Sequence, residues 1–182
     1  MIQVTHYNPE WPKWFAQLHL EIWPAVQKFA LSLEHVGSTS VPGLAAKPII
    51  DMDIIVESTE KLPAVIEALE KLGYTHRGNL GIEGRESFRP PEHGIKHHLY
   101  VCINGCMSLR NHLALRDHLR QFPAAREEYS ALKLKLADEF RDSLDNYVEG
   151  KTQFILGVIS RYEISKEELA LIEIANQAPS RK

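Results

Sequence analysis

The sequence predicts an α/β (α+β) fold in which a mixed sheet is packed by helices and followed by a helical C-terminal half. Three observations predict it. Short apolar, β-branched runs at Leu33–Val36, Ile49–Val56 and Lys96–Ile103 have the length and composition of strands. Helical spacing precedes them and recurs between them. Beyond Cys106 the character changes, and Ser108–Arg120, Pro123–Phe140 and Asn146–Tyr162 read as helices, with a last one after Ser165. A chain of 182 residues, 44% hydrophobic and 25% charged, can bury a full core. One domain over residues 1–182 is expected, its sheet-containing part spanning about 1–106 and its helical part about 107–182.

Asn8-Pro9-Glu10 has the chemistry of a helix start: a cap, a first-turn proline and a first-turn acid. Trp11, Trp14 or Phe15, Leu18, Ile22, Val26 and Phe29 then recur on one face, which reads as core packing, with Pro24 kinking or dividing the helix. The strand Leu33–Val36 stops at Gly37, and a Ser/Gly/Pro-rich loop follows to Gly43. Ser58 caps a helix with Leu62, Val65, Leu69 and Leu72 on its buried face, ended by Gly73. Tyr74–Arg77 and Arg85–Arg89 are further strand segments, joined by the glycine-rich Gly78–Gly84 and stopped by Pro90-Pro91. Asn104-Gly105 turns the chain out of the last strand.

Composition excludes several classes. The net charge of -3 does not suit a strongly basic nucleic-acid binder. No apolar run reaches membrane-spanning length, and Met1–Thr5 has neither a basic nor an apolar leader character, so a cytoplasmic protein without a membrane partner is expected. Cys102 and Cys106 are the only two cysteines, which is no disulfide framework; their spacing admits a zinc or redox pair, but half-buried bystanders are the simpler reading. Oligomeric state is not legible.

The chemistry concentrates in one stretch. Strand side chains alternate, so Asp51 and Asp53 project to one side of their strand while Ile50, Met52 and Ile54 project to the other. Two acids in so apolar a strand are costly to bury unless a hard cation such as Mg²⁺ compensates them; alternatively they lie at a strand end and face water. Gly37-Ser38 lies one loop earlier. Its glycine permits close backbone approach, and the exposed amides with the hydroxyls of Ser38, Thr39 and Ser40 can donate to phosphate oxygens, with Lys47 adding charge. Gly-Ser followed by Asp-x-Asp on the next strand is the pattern of polymerase-β-like nucleotidyltransferases.

The run from His35 through Gly37-Ser38-Thr39-Ser40-Val41-Pro42-Gly43 and Lys47-Pro48 to Asp51 resembles the signature of the GrpB family, also met as a domain fused to dephospho-CoA kinases. Tyr7-Asn8-Pro9-Glu10-Trp11, His98-Leu99-Tyr100-Val101, Leu115–Arg120, Tyr129 with Leu132-Lys133, and Tyr147 with Gly150-Lys151 and Phe154-Ile155 resemble further parts of it. The resemblance implies a nucleotidyltransferase-like fold and a site for a nucleoside triphosphate, a divalent metal and an unknown small-molecule acceptor. Asp51 and Asp53 are then the catalytic and metal-binding acids, with Mg²⁺ or Mn²⁺ as the ion. Wider superfamily members place a third carboxylate on a later strand; here Lys96–Ile103 carries none, and the third ligand is either His98 or missing. An Asp-Asp-His set carries less charge than three acids and leans towards Mn²⁺, Zn²⁺ or Ni²⁺.

Of the dense group His93, His97, His98, His112 and His118, His98 is the candidate, sharing strand parity with Tyr100; the others read as exposed or hydrogen-bonded. Arg116 and Arg120 share a helix face, and Arg116 and Lys151 are candidates for the phosphate tail, with Lys133 in the same half and Arg85 and Arg89 reaching the cleft from the sheet. Two functions stand: a metal-dependent nucleotidyltransferase using an NTP donor, and a non-catalytic module binding a nucleotide or CoA-type ligand in a degenerate site.

Overall fold

The computed structural model describes residues 1–177; the last few residues of the expected domain, 178–182, lie outside the described residues. Helix α1, Trp11–Val26, leads into strand β1, Ser32–Val36, and a 3₁₀ turn, Ser38–Ser40. Strand β2, Ile50–Val56, is followed by α2, Leu62–Lys71, then β3, Thr75–His76, β4, Arg85–Arg89, and β5, His97–Ile103. Four helices complete the order: α3, Met107–Gln121, α4, Pro123–Glu139, α5, Leu144–Ile159, and α6, Lys166–Gln177.

The sheet order is β1-β2-β5-β4-β3. Strands β2 and β5 pair in parallel, and the other neighbours are antiparallel. The mixed sheet follows from the connections. The chain from β2 to β5 passes through α2, β3 and β4, and a parallel pair needs such a long crossover.

Alternation on β2 divides the sheet into two faces. Ile50, Met52, Ile54 and Val56 are fully buried, and the register sets Met52 beside Leu99 and Ile54 beside Val101. This face meets Trp11, Leu18, Ile22 and Val26 of α1 and Val65 and Leu69 of α2 in the main core. The opposite face carries Asp51, Asp53 and Ile55 beside His98, Tyr100 and Cys102. Helix α3 covers part of it, Leu109 packing on Ile55 and Cys102. The loop after β1 is anchored in the helical half, since Val41 and Leu44 cluster with Leu119 and Tyr129.

Several boundaries differ from the sequence expectation for local reasons. Asn8 does not cap α1. Its Oδ1 accepts the Glu10 N–H at 2.9 Å and its carbonyl accepts the Trp11 N–H at 3.1 Å, closing a turn just before the helix. Pro24 lies inside α1 without dividing it, and Phe29 falls beyond its end. Helix α2 stops at Lys71, so Leu72 is 39% exposed rather than on the buried face. Ser58 precedes a 3₁₀ turn, Thr59–Lys61, without a side-chain cap. Among the described residues no helix is long and apolar enough to cross a membrane.

The two sides of this packing predict opposite mutational costs. Leu99→Ala, in the central strand pair, should lose about 2–5 kcal/mol in a denaturant titration. Leu20→Ala, on the exposed face of α1, should stay within about 0.5 kcal/mol of the parent. Equal costs would contradict the assignment of the apolar sheet face as the core.

Candidate functional site

The acid pair occupies the polar face of β2. Asp51 is about one-third exposed at the strand start, whereas Asp53 is fully buried. Each is held by a histidine. His98, register partner of Asp51 on β5, donates from Nδ1 to Asp51 Oδ1 at 2.8 Å. His112, on α3, donates from Nδ1 to Asp53 Oδ2 at 2.7 Å. A carboxylate oxygen only accepts, so both imidazoles carry their proton on Nδ1. Burial opposes a charge on His112, but Asp53 outweighs it through charge and hydrogen bond and holds the His112 pKa above the ordinary range. Asp53 Oδ1 is buried without any hydrogen-bond partner.

The Gly37 loop lies against these acids. Gly37 has φ +67° and ψ -171°, a region open essentially to glycine alone. A Cβ there would fall 2.8 Å from Asp51 Cγ, inside the carboxylate's envelope, so glycine is what lets backbone and acid touch. The other loop hydroxyls are spent on the loop itself. Ser40 Oγ donates to the Gly37 carbonyl at 2.6 Å, and Thr39 Oγ1 donates to the Ile49 carbonyl at 3.3 Å. Having used its proton, the Thr39 hydroxyl accepts from His35 Nε2 at 3.0 Å. The His35 ring stacks on Phe15 at 4.6 Å. Burial pushes the His35 pKa down to about 4, opposed by Asp51 and reinforced by Arg120 and Arg116.

Ser38 differs. Its Oγ accepts from Lys133 Nζ at 2.9 Å, and Lys133 is only 2% exposed. Its Nζ also lies 4.5 Å from the Tyr129 ring centroid. Burial, with Lys151 adding to it and Asp51 opposing, holds Lys133 well below the usual lysine range. Lys151 and Lys47 flank one ring, 4.4 Å and 5.7 Å from the Tyr147 centroid. Lys133 and Lys151 therefore lie near each other, and Lys133 also lies within reach of the Asp51 charge.

The two candidate arginines brace the framework. Arg116 donates to Glu34 at 2.9 Å and to the His35 carbonyl at 3.2 Å, and pairs with Asp117. Arg120 donates twice to the Ser40 carbonyl, at 2.8 Å and 3.1 Å, tying α3 to the loop. Arg85 lies over the Tyr100 ring at 4.5 Å, on the same face as the acids. His97 points the other way, its Nε2 bonded to the Tyr74 hydroxyl at 2.7 Å.

Two site residues escaped sequence reasoning. His112 reads as one of several bystander histidines, although it sits four residues before Arg116 on the same helix face. Lys133 does not stand out among the basic residues, although Tyr129, Lys133 and Leu136 follow helical spacing and share the buried face of α4. A lysine on an apolar stripe was the available signal.

The donor set suits a cation that brings its own ligands. Among the described residues no three His, Cys, Asp or Glu side chains gather as a metal-holding group. The unpartnered Asp53 Oδ1 and the Asp51 carboxylate are two hard oxygen donors, and Asp51 lies against the Gly37 loop that carries Ser38. Mg²⁺ characteristically takes one or two carboxylates and completes its shell with phosphate oxygens and water. The residues fit that ion in company with a phosphate.

A profile of the family described as GrpB protein matches residues 1–161. The chain is 36% identical over 158 residues to UPF0157 protein YqkA of Bacillus subtilis, covering 85% of this chain and 45% of that one. It thus spans about half the length of that relative. The crystal structure of conserved protein GrpB from Enterococcus faecalis aligns with a TM-score of 0.78 at 36% identity, covering 93% of this chain and 98% of that one. The Cid1 poly(U) polymerase bound to MgGTP aligns with a TM-score of 0.56 at 14% identity, over 83% of this chain and 50% of that one, which shows a shared nucleotidyltransferase-like fold.

Two outcomes test the loop geometry. Gly37→Ala should cost about 1–3 kcal/mol for the backbone region alone and more for the collision with Asp51, read as a lowered unfolding midpoint. An unchanged midpoint would remove the claim that glycine is required there. His35 is held neutral in the folded state, with its pKa near 4, and ionises near 6.5 in the unfolded chain. The unfolded chain therefore binds the extra proton first, so stability should fall as pH drops from about 6.5 to about 4 by roughly 2–3 kcal/mol. His35→Gln should flatten that part of the stability–pH curve in urea titrations.

Proposed function

The chain belongs to the GrpB family, and we propose that its Asp51–Asp53 cleft transfers a nucleoside monophosphate from a nucleoside triphosphate to a small acceptor, assisted by Mg²⁺ or Mn²⁺. The observation that carries this reading is the proximity of a buried lysine amine on Ser38 to an acid pair that includes an unpartnered buried oxygen. Burying such polar groups without function is costly. A metal–triphosphate complex gives both a partner at once.

Asp51 and Asp53 would hold the ion, which when bound offsets charge on the phosphates and polarises the attacking hydroxyl. The protein's own residues do the rest. Ser38 Oγ and Lys133 Nζ take the phosphate oxygens that follow the reacting phosphorus, and the glycine at 37 lets the chain come close to them. Lys151 and Lys47, both close to the Tyr147 ring, add positive potential along the tail. His98 and His112 fix the carboxylate rotamers by holding one oxygen of each.

A second reading, a nucleotide- or CoA-type ligand module without turnover, is favoured by one specific observation. A histidine occupies an oxygen of each acid, and the β5 position beside Asp51 is an imidazole rather than a third carboxylate. Both readings use the Ser38–Lys133 cradle and differ in whether the acids reach a metal.

Thermal melting with each NTP and Mg²⁺ or Mn²⁺ separates them. Transfer predicts a rise in Tm, about 2.7 kcal/mol of stabilisation at a hundredfold excess over Kd, together with pyrophosphate release. Asp51→Asn and Asp53→Asn should abolish both. A Tm rise that survives in both variants without pyrophosphate release would select the binding module. Lys133 adds a separate signature. An incoming triphosphate favours its protonated form, so NTP binding should take up a proton, seen in calorimetry across buffers of different ionisation enthalpy. Lys133→Met should weaken NTP binding and remove the uptake; uptake unchanged in Lys133→Met would place the titrating group elsewhere.

A further inference from the structure

We propose that the acceptor enters over β5 and β4 and carries an anionic group, a phosphate or a carboxylate, received by Arg85 and Arg89. This rests on the nucleotidyl-transfer reading above. In that reaction the acceptor hydroxyl oxygen forms a bond to the α-phosphorus while the bond from that phosphorus to the pyrophosphate oxygen breaks. The electron pair leaves with pyrophosphate, and the hydroxyl proton is released to solvent. Attacking and leaving oxygens lie in line, on opposite sides of the phosphorus.

The sheet fixes which side is which. The Ser38–Lys133 cradle follows β1, on one flank of the acid strand β2. Pyrophosphate therefore departs towards β1. The other flank of β2 is β5, and beyond it β4. The acceptor hydroxyl must come from there.

What lines that flank is cationic. Ser87 pairs with Tyr100 and Arg85 with Cys102, so the odd-numbered residues of β4 share the face of His98, Tyr100 and the acids. Charge changes sign across the face: Glu34, Asp51 and Asp53 stand on β1 and β2, Arg85 and Arg89 on β4. The Arg85 guanidinium is laid over Tyr100 at 4.5 Å, and its Nε is buried without a hydrogen-bond partner. An arginine fork prepared in this way suits the oxygens of a phosphate or carboxylate.

The test holds the donor site constant. Wild-type protein saturated with Mg²⁺ and a non-hydrolysable ATP analogue is titrated by calorimetry with glycerol 3-phosphate, glycerate and glycerol, which share hydroxyls and differ in charge. Binding of either anion but not of glycerol is expected, the preferred one identifying the anionic group. Arg85→Gln and Arg89→Gln should each weaken it about tenfold or more while leaving the analogue's affinity within about twofold. Arg89 is exposed, so its variant keeps the test valid if Arg85→Gln fails to fold. Glycerol binding as tightly as the anions, no binding by any of the three, or anion binding unchanged in Arg89→Gln would each overturn the proposal. Failure of the analogue itself to bind wild-type protein would instead sink the donor reading, and this proposal with it.

Discussion

The burial of Asp53 is the constraint on which much of this molecule turns. A carboxylate with no exposure, in the strand at the middle of the fold, demands partners. Strand geometry supplies none from its own face except Asp51, a like charge. The partner comes from elsewhere: a hydrogen bond from His112 on α3, whose charge Asp53 in turn favours. The helical half is therefore more than a cover. It completes the electrostatics that the sheet alone leaves unbalanced.

The loop after β1 couples the two halves. Its backbone is pressed on Asp51 at Gly37, its carbonyl at Ser40 is gripped by Arg120, and its Val41 and Leu44 are planted among Leu119 and Tyr129. Displacing α3 or α4 would disturb the Ser38 hydroxyl and the Asp51 carboxylate together. Arg116 works in the same way on β1, joining Glu34 and the His35 carbonyl to α3. Arg116, largely shielded from solvent, and the more exposed Arg120 thus both tie α3 to the sheet side through backbone carbonyls.

Much of this was legible in the sequence because it follows from periodicity. Residues 51 and 53 share a face, as do 98 and 100, and a register that pairs Asp51 with His98 brings them together. Strand and helix spans came within a few residues, since β-branched runs and helical stripes survive into the folded state. The failures were of another kind. Asn8 reads as a cap by composition, yet a turn competed for the same side chain. Which helix face meets the sheet is a tertiary outcome, so His112 and Lys133 could be placed on stripes but not in the site. The hydroxyls of Thr39 and Ser40 looked equivalent to that of Ser38, and only the folded loop shows that two of the three are committed to its own carbonyls.

Under the proposed reading, the two histidine–carboxylate pairs bear on how the site would work without a third acid. Three converging carboxylates repel one another strongly until cations arrive, and their site is strained when empty. Here each acid meets an imidazole hydrogen-bond donor, and Asp53 biases His112 towards carrying a charge. Such a site rests more easily when empty and attracts dications less strongly. Under the proposed reading, the missing attraction must come from the nucleotide, whose phosphates bring the additional oxygens that Mg²⁺ requires. On the same reading Lys133, whose proton burial disfavours, gains a strong partner when the phosphates are present. The proposed arrangement would then favour a metal–nucleotide complex over either component alone, because each incoming charge would meet a partner that the other has left incomplete.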